Sequence, residues 1–271
     1  MTLKDIERCF NRALILSFSK KKIFLVFPVL ILCSILIVFF RALAINASSW
    51  LVMSLIFLPI FLTTGVLLSL GVLLGRIYYH EVKSIKFHYR DILKKSFDVI
   101  LATSYLSIPP ILIYLLLWVV FGIFVLLKEI PGFGQFVGVI LTFAPFLIIL
   151  ASIVLCLINL SLLFFVSPAI ALKEKGDFTL AKDILDSMKK NIFGYFILLV
   201  IAVLPIFLVV GILSLSAILT NFSYSSYANG LTVVMEWFFI SLPFALCLTP
   251  AVIFFFNFSM ESYNYLRKKD E

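Results

Sequence analysis

The chain has 271 residues, of which 63% are hydrophobic and 13% charged, with 30 phenylalanines. A soluble domain carries roughly 45–50% apolar and about 25% charged residues, so this composition excludes a water-soluble globular fold. The formal net charge of +8 does not point to nucleic acid. The cations lie in short segments beside hydrophobic runs, a pattern that sets orientation and contacts anionic lipid headgroups, and no base-reading motif surrounds them.

In chain order, polar residues at 1–12 and the basic cluster Lys20-Lys21-Lys22 precede the first hydrophobic run. That run is longer than the roughly 7–15 residues of a signal-peptide core, so it reads as a span rather than a cleaved leader. Hydrophobic runs cover 23–45, 51–79, 99–127, 136–171, 192–219 and 231–262. Each exceeds the roughly 20 residues that cross a bilayer. The expected fold is therefore all-α: a polytopic bundle of six spans forming a single membrane domain over 1–271. The fourth run would extend about 54 Å as a straight helix, against a hydrocarbon core of about 30 Å. It must tilt, kink at Pro145 or project, and Pro168 is expected to close it.

Twenty of the 22 lysines and arginines fall in 1–22, in 76–95, in 173–190 and in the tail after 266; only Arg41 and Lys128 lie elsewhere. By the positive-inside rule these twenty mark the cytoplasmic side. Both termini are then cytoplasmic, and 46–50, 128–135 and 220–230 are outer loops.

The chain also shows internal similarity. Leu3, Ile6, Phe10 and Ala13 share a spacing with Val82, Ile85, Tyr89 and Ile92, and with Phe178, Ala181, Leu185 and Met188. That spacing places an apolar stripe along a helix with charges opposite, predicting three amphipathic interfacial helices. Each precedes a basic pair (Lys21-Lys22, Lys94-Lys95, Lys189-Lys190) and a span. In the second span of each unit Pro59, Pro145 and Pro243 occupy matching places, and fourteen residues later stand Asn159-Leu160-Ser161 and Asn257-Phe258-Ser259. The first unit departs there, with Leu73-Leu74-Gly75. We read three parallel pseudo-repeats, about 1–79, 80–172 and 173–271, each an interfacial helix followed by a helical hairpin.

Polar groups inside a bilayer are costly and are candidates for function. The candidates are Asn159 and Asn257 in the cytoplasmic half, Arg76 and Glu261 near the inner face and Glu236 near the outer face. They could line a cavity. The favoured reading is plainer: the asparagines hold helices together, at about 0.6–2 kcal/mol each, and the charges snorkel to the interface. Cys9, Cys33, Cys156 and Cys247 are widely spaced and read as small buried hydrophobes. His80 and His88 have no third metal ligand nearby. No nucleophile elbow or phosphate loop occurs, and Gly132-Phe133-Gly134 after Pro131 is a turn. No catalytic residue, metal or cofactor is expected. Asn46-Ala47-Ser48 and Asn221-Phe222-Ser223 are sequons in the expected outer loops.

The segment Phe165-Val166-Ser167-Pro168-Ala169-Ile170-Ala171-Leu172, then Gly176, then Asp183-Ile184-Leu185-Asp186-Ser187-Met188-Lys189-Lys190-Asn191-Ile192-Phe193, resembles a broad group of uncharacterised bacterial polytopic membrane proteins. That group includes the YciC-like proteins and the membrane domain fused to some glycerophosphodiester phosphodiesterases. The resemblance implies a bacterial inner-membrane location. It transfers no catalytic residue, because the phosphodiesterase chemistry of such fusions belongs to a separate soluble domain. The expected function is a non-enzymatic component that binds a protein partner through its amphipathic helices or organises membrane lipids. The alternative is a transporter or channel for a small or lipophilic solute, with Asn159, Asn257 and Glu261 facing one cavity. A lipid-modifying enzyme is the third reading.

Overall fold

A computed structural model of the chain describes residues 3–45, 47, 49–83, 89–132, 134–172, 192–219 and 230–270. The expected helix over 178–188, His88 and both sequon asparagines lie outside them. The helices in order are α1 (Leu3–Ile15), α2 (Lys20–Ala44), α3 (Ser49–Val82), α4 (Tyr89–Ser104), α5 (Ile108–Leu127), α6 (Gly134–Leu172), α7 (Ile192–Leu219) and α8 (Gly230–Asp270). Single 3-10 turns at Leu16–Phe18 and Tyr105–Ser107 join α1 to α2 and α4 to α5. Six helical segments are long and apolar enough to cross a bilayer: Lys20–Ala44, Leu51–Val82, Phe97–Leu127, Leu141–Leu172, Phe196–Leu219 and Thr232–Leu266. With no water in the hydrocarbon core, these runs must satisfy their backbone groups internally, and a helix does so. The chain is an integral membrane protein with an all-α bundle.

Pro28, Pro59, Pro145, Pro168, Pro205, Pro243 and Pro250 all lie within helices. Contrary to expectation, Pro168 does not close α6, which continues to Leu172. A proline removes the N–H that would bond the carbonyl four residues back. Here that carbonyl belongs to Phe164, and it accepts a hydrogen bond from Ser259 Oγ of α8 instead. A neighbouring hydroxyl is a recognised way to satisfy such a freed group within a membrane. At the loop after α5, Gly132 adopts φ +88° next to Pro131, the left-handed conformation that the turn needs.

Helices α3, α6 and α8 form an inner group running in one direction. A methyl placed on Gly71 would lie 2.4 Å from the Phe256 ring and 2.6 Å from Ser167 Oγ; one on Gly75 would lie 2.8 Å from Ala171 and 3.0 Å from Met260. Two successive layers are thus Gly71–Ser167–Phe256 and Gly75–Ala171–Met260. Lipid is as apolar as leucine, so close backbone approach at small residues is what draws such helices together. Around this group, α2 packs between α3 and α8, α5 against α3 and α6, and α7 against α8. Helix α1 packs on α8 and α4 on α3, and α4 itself carries the start of the third span from Phe97; the expected stripe from Val82 to Ile92 is not a single helix, because Val82 ends α3 and Tyr89 opens α4.

The main core joins α1, α2, α3, α6, α7 and α8 through Ala13, Val26, Leu68, Phe164, Ala202 and Phe254. A second, aromatic core of Phe61, Tyr114, Trp118, Phe121, Ile148 and Leu155 holds α3, α5 and α6. Tyr114 caps it by donating to the Ser54 carbonyl at 2.7 Å.

Candidate functional site: a charged network at the terminus-bearing end

The network begins with how α1 is seated. Asp5 is level with Tyr265, Arg12 with Glu261, and Ala13 and Ser17 with Asn257. So α1 runs antiparallel along the last turns of α8, with its apolar stripe on that helix: Ala13 is fully buried and the Phe10 ring packs 4.9 Å from Phe254. Helix α2 continues in the same direction, from Lys22 at the level of Asn257 to Arg41, whose guanidinium lies 4.6 Å from the Trp237 ring. The twenty residues between Trp237 and Asn257 rise about 30 Å, the thickness of the hydrocarbon core. The network therefore lies at one membrane boundary and the Arg41–Trp237 pair at the other.

Lys22 is 0% exposed. Its ammonium pairs with Glu81 Oε2 at 2.6 Å, donates to Asn257 Oδ1 and the Leu16 carbonyl at 3.4 Å each, and lies 5.2 Å from the Tyr78 ring centre. A buried cation requires such a partner. Helix dipoles reinforce the pairing. Lys22 occupies the first turn of α2 and Glu81 the last turn of α3, so each charge sits at the end of its helix that repels it. Each neutralises the other's unfavourable position.

Asn257 completes the crossing. Its Nδ2 donates to the Ala13 carbonyl at 3.4 Å and to Ser17 Oγ at 3.3 Å, while Ser17 Oγ donates to Ala13 O at 2.6 Å. One turn on, Glu261 Oε1 accepts from the Tyr78 hydroxyl at 2.6 Å and faces Arg12 Nη1 at 3.3 Å. The Tyr265 hydroxyl donates to Asp5 Oδ2 at 2.8 Å. Cys9 lies under this helix, its thiol pushed up to about 11 by burial first and by the carboxylates of Glu261 and Asp5 second. It is a protonated, unreactive thiol at neutral pH.

Of the sequence candidates, the structure unites Asn257 and Glu261. Arg76 is half-buried on α3, two residues before Tyr78, and its carbonyl lies 2.7 Å from His80 Nδ1. Glu236 is exposed at the far end of α8, beside Trp237. Asn159 is 3% exposed, and neither its Nδ2 nor its Oδ1 has a hydrogen-bond partner. It lies twelve residues before Ala171, whereas Asn257 lies only three before Met260 of the same layer. That offset places Asn159 deeper along the bundle than Asn257, away from the network.

Sequence reasoning picked out neither Lys22, read as part of a basic cluster, nor Glu81, read as part of a connector, nor the supporting Arg12, Ser17, Tyr78, Asp5 and Tyr265. A signal exists for Lys22, since it stands four, eight and eleven residues before the buried Val26, Leu30 and Cys33 and so shares their helical face. Chemically, the network couples four helices through paired charges. Among the described residues no three His, Cys, Asp or Glu side chains converge as a metal site. No family model matches the chain, and neither a curated protein nor a solved structure is significantly similar to it.

Proposed function

We propose that this membrane protein is a non-enzymatic accessory or scaffold component of a bacterial inner membrane, presenting a fixed basic helix at the cytoplasmic face to a protein partner or to lipid. One observation carries the reading. The polar groups of the network engage one another in seating α1 on α8, while Lys4, Arg8 and Asn11 remain exposed on its outer side. A site built to pass a solute needs polar groups free to meet it, whereas those of the network are engaged with one another. The three-repeat reading draws support from the packing, since α1 sits on α8 as α4 sits on α3. These would be equivalent positions around a pseudo-threefold axis.

The test is gentle extraction of the full chain from its native membrane, followed by mass spectrometry of what stays bound. A stoichiometric protein or lipid that is lost on charge reversal at Lys4 and Arg8 is expected. A retained water-soluble solute, unaffected by those changes but lost with Asn159→Leu, would overturn the reading in favour of transport. Orientation is checked by cysteines engineered in 46–50, 128–135 and 220–230. They should all react with an impermeant thiol reagent added outside intact cells.

A further inference from the structure

We propose that α6 is built to part from its neighbours at Asn159 and to let water reach that amide inside the membrane. The inference goes beyond the accessory reading and does not depend on it. Asn159 is 3% exposed, and neither its Nδ2 nor its Oδ1 has a hydrogen-bond partner. An amide buried in this way costs free energy. Lipid tails cannot bond it, so a state in which water meets the amide is the one that recovers the cost. Such a state lies closer to the packed one than it would with leucine at this position.

The packing shows where α6 is held and where it is free to travel. One turn before Asn159, Leu155 belongs to the aromatic core with α3 and α5; one turn after it, Leu163 belongs to the main core. A further turn on, Ser167 Oγ would lie 2.6 Å from a methyl on Gly71. These positions share one helical face, so Asn159 is the break between two tied regions. On the opposite side by their spacing, Leu150, Val154 and Leu157 are 47%, 48% and 56% exposed. Among the described residues, α7 packs on α8 rather than over them. An outward bow of this stretch therefore displaces lipid and no described helix. Pro145 and Pro168 flank it within α6. Each removes one backbone hydrogen bond of the ladder, and prolines are where helices bend.

The full-length protein, with its asparagine side chains labelled with nitrogen-15, would be reconstituted in bilayers and transferred to heavy water. Exchange at the Asn159 amide is followed by solid-state NMR, its signal assigned by loss in Asn159→Leu. The reference is the side-chain amide of Asn257, which is 0% exposed, hydrogen-bonded to Ala13 and Ser17, and nearer the surface. In a bundle that stays closed, the deeper amide exchanges more slowly than Asn257. The proposal predicts the reverse, with Asn159 faster by about tenfold, a difference of about 1.4 kcal/mol. Pro145→Ala/Pro168→Ala restores two backbone donors, which should slow Asn159 by about tenfold or more and leave Asn257 unchanged. Asn159→Leu should raise the midpoint of thermal unfolding, because it removes an unpaired group from the packed state. Slower exchange at Asn159 than at Asn257 would overturn the proposal, as would unaltered exchange in the alanine variant. So would a lowered midpoint for Asn159→Leu, which would mean that the amide is engaged in the packed state. The comparison of the two amides is made in the native chain, so it decides even if the alanine variant fails to fold.

Discussion

The two halves of α8 lie in different surroundings. From Ala251 to Met260 every residue is buried, whereas between Thr232 and Cys247 only Ala245 is. The inner half meets α1, α2, α3 and α6 through rings, small residues and charges. The outer half carries the Arg41–Trp237 contact and otherwise shows much of its surface to lipid. The difference teaches where cohesion resides when no hydrophobic force drives helices together. It collects where glycine allows backbones to close and where polar groups can find one another.

Four substitutions would break or sharpen that contrast. The largest effect is expected from Gly71→Leu, because even a methyl there lies 2.4 Å from Phe256. Extra methylenes in a packed core already cost about 1–3 kcal/mol, and leucine forces four carbons between three closely packed helices, so the fold should be lost and the monodisperse peak in size-exclusion chromatography should collapse. Gly211→Leu, where nothing lies within 4 Å, should behave as the native chain; equal behaviour of the two variants would show that the seam does not hold the bundle.

Lys22→Met should follow closely, since stranding one member of a buried ion pair costs about 3–5 kcal/mol. The double variant Lys22→Met/Glu81→Met should recover most of that loss in thermal unfolding. If the single variant matches the native chain, the pair is not the tie that its 2.6 Å separation indicates.

Ser259→Ala should cost about 1–2 kcal/mol by leaving the Phe164 carbonyl without a donor. Adding Pro168→Ala restores a backbone N–H four residues ahead and should cancel much of the loss. Additive losses in that cycle would refute the exchange of hydroxyl for amide. The smallest effect belongs to the far end, where Arg41→Gln should cost about 0.5–1 kcal/mol. A loss as large as that of Lys22→Met would erase the contrast between the two halves.

Much of the fold was legible because hydropathy runs and bilayer thickness constrain the same quantity. The spans follow from runs of apolar residues, and Asn257 and Glu261 stood out because polar groups are rare there. The rest depends on register, which is set by contacts far apart in sequence. Lys22 and Glu81 are separated by most of a hairpin, and nothing local reveals that their helix ends meet. Asn159 aligns with Asn257 by counting from the prolines, yet the Gly75–Ala171–Met260 layer sets α6 differently from that count. Pro168 reads as a stop until the donor on another helix is known.

The seat of α1 has a consequence for the order of assembly. Asp5, Arg12 and Ala13 find their partners at Tyr265, Glu261 and Asn257, more than 240 residues later in the chain. A ribosome adding about 5–20 residues per second needs roughly 10–50 s to cover that distance. Throughout that interval the first helix has been made and its berth has not. Helix α1 must wait beside the inserting spans until α8 is threaded, and only then can it settle into its berth.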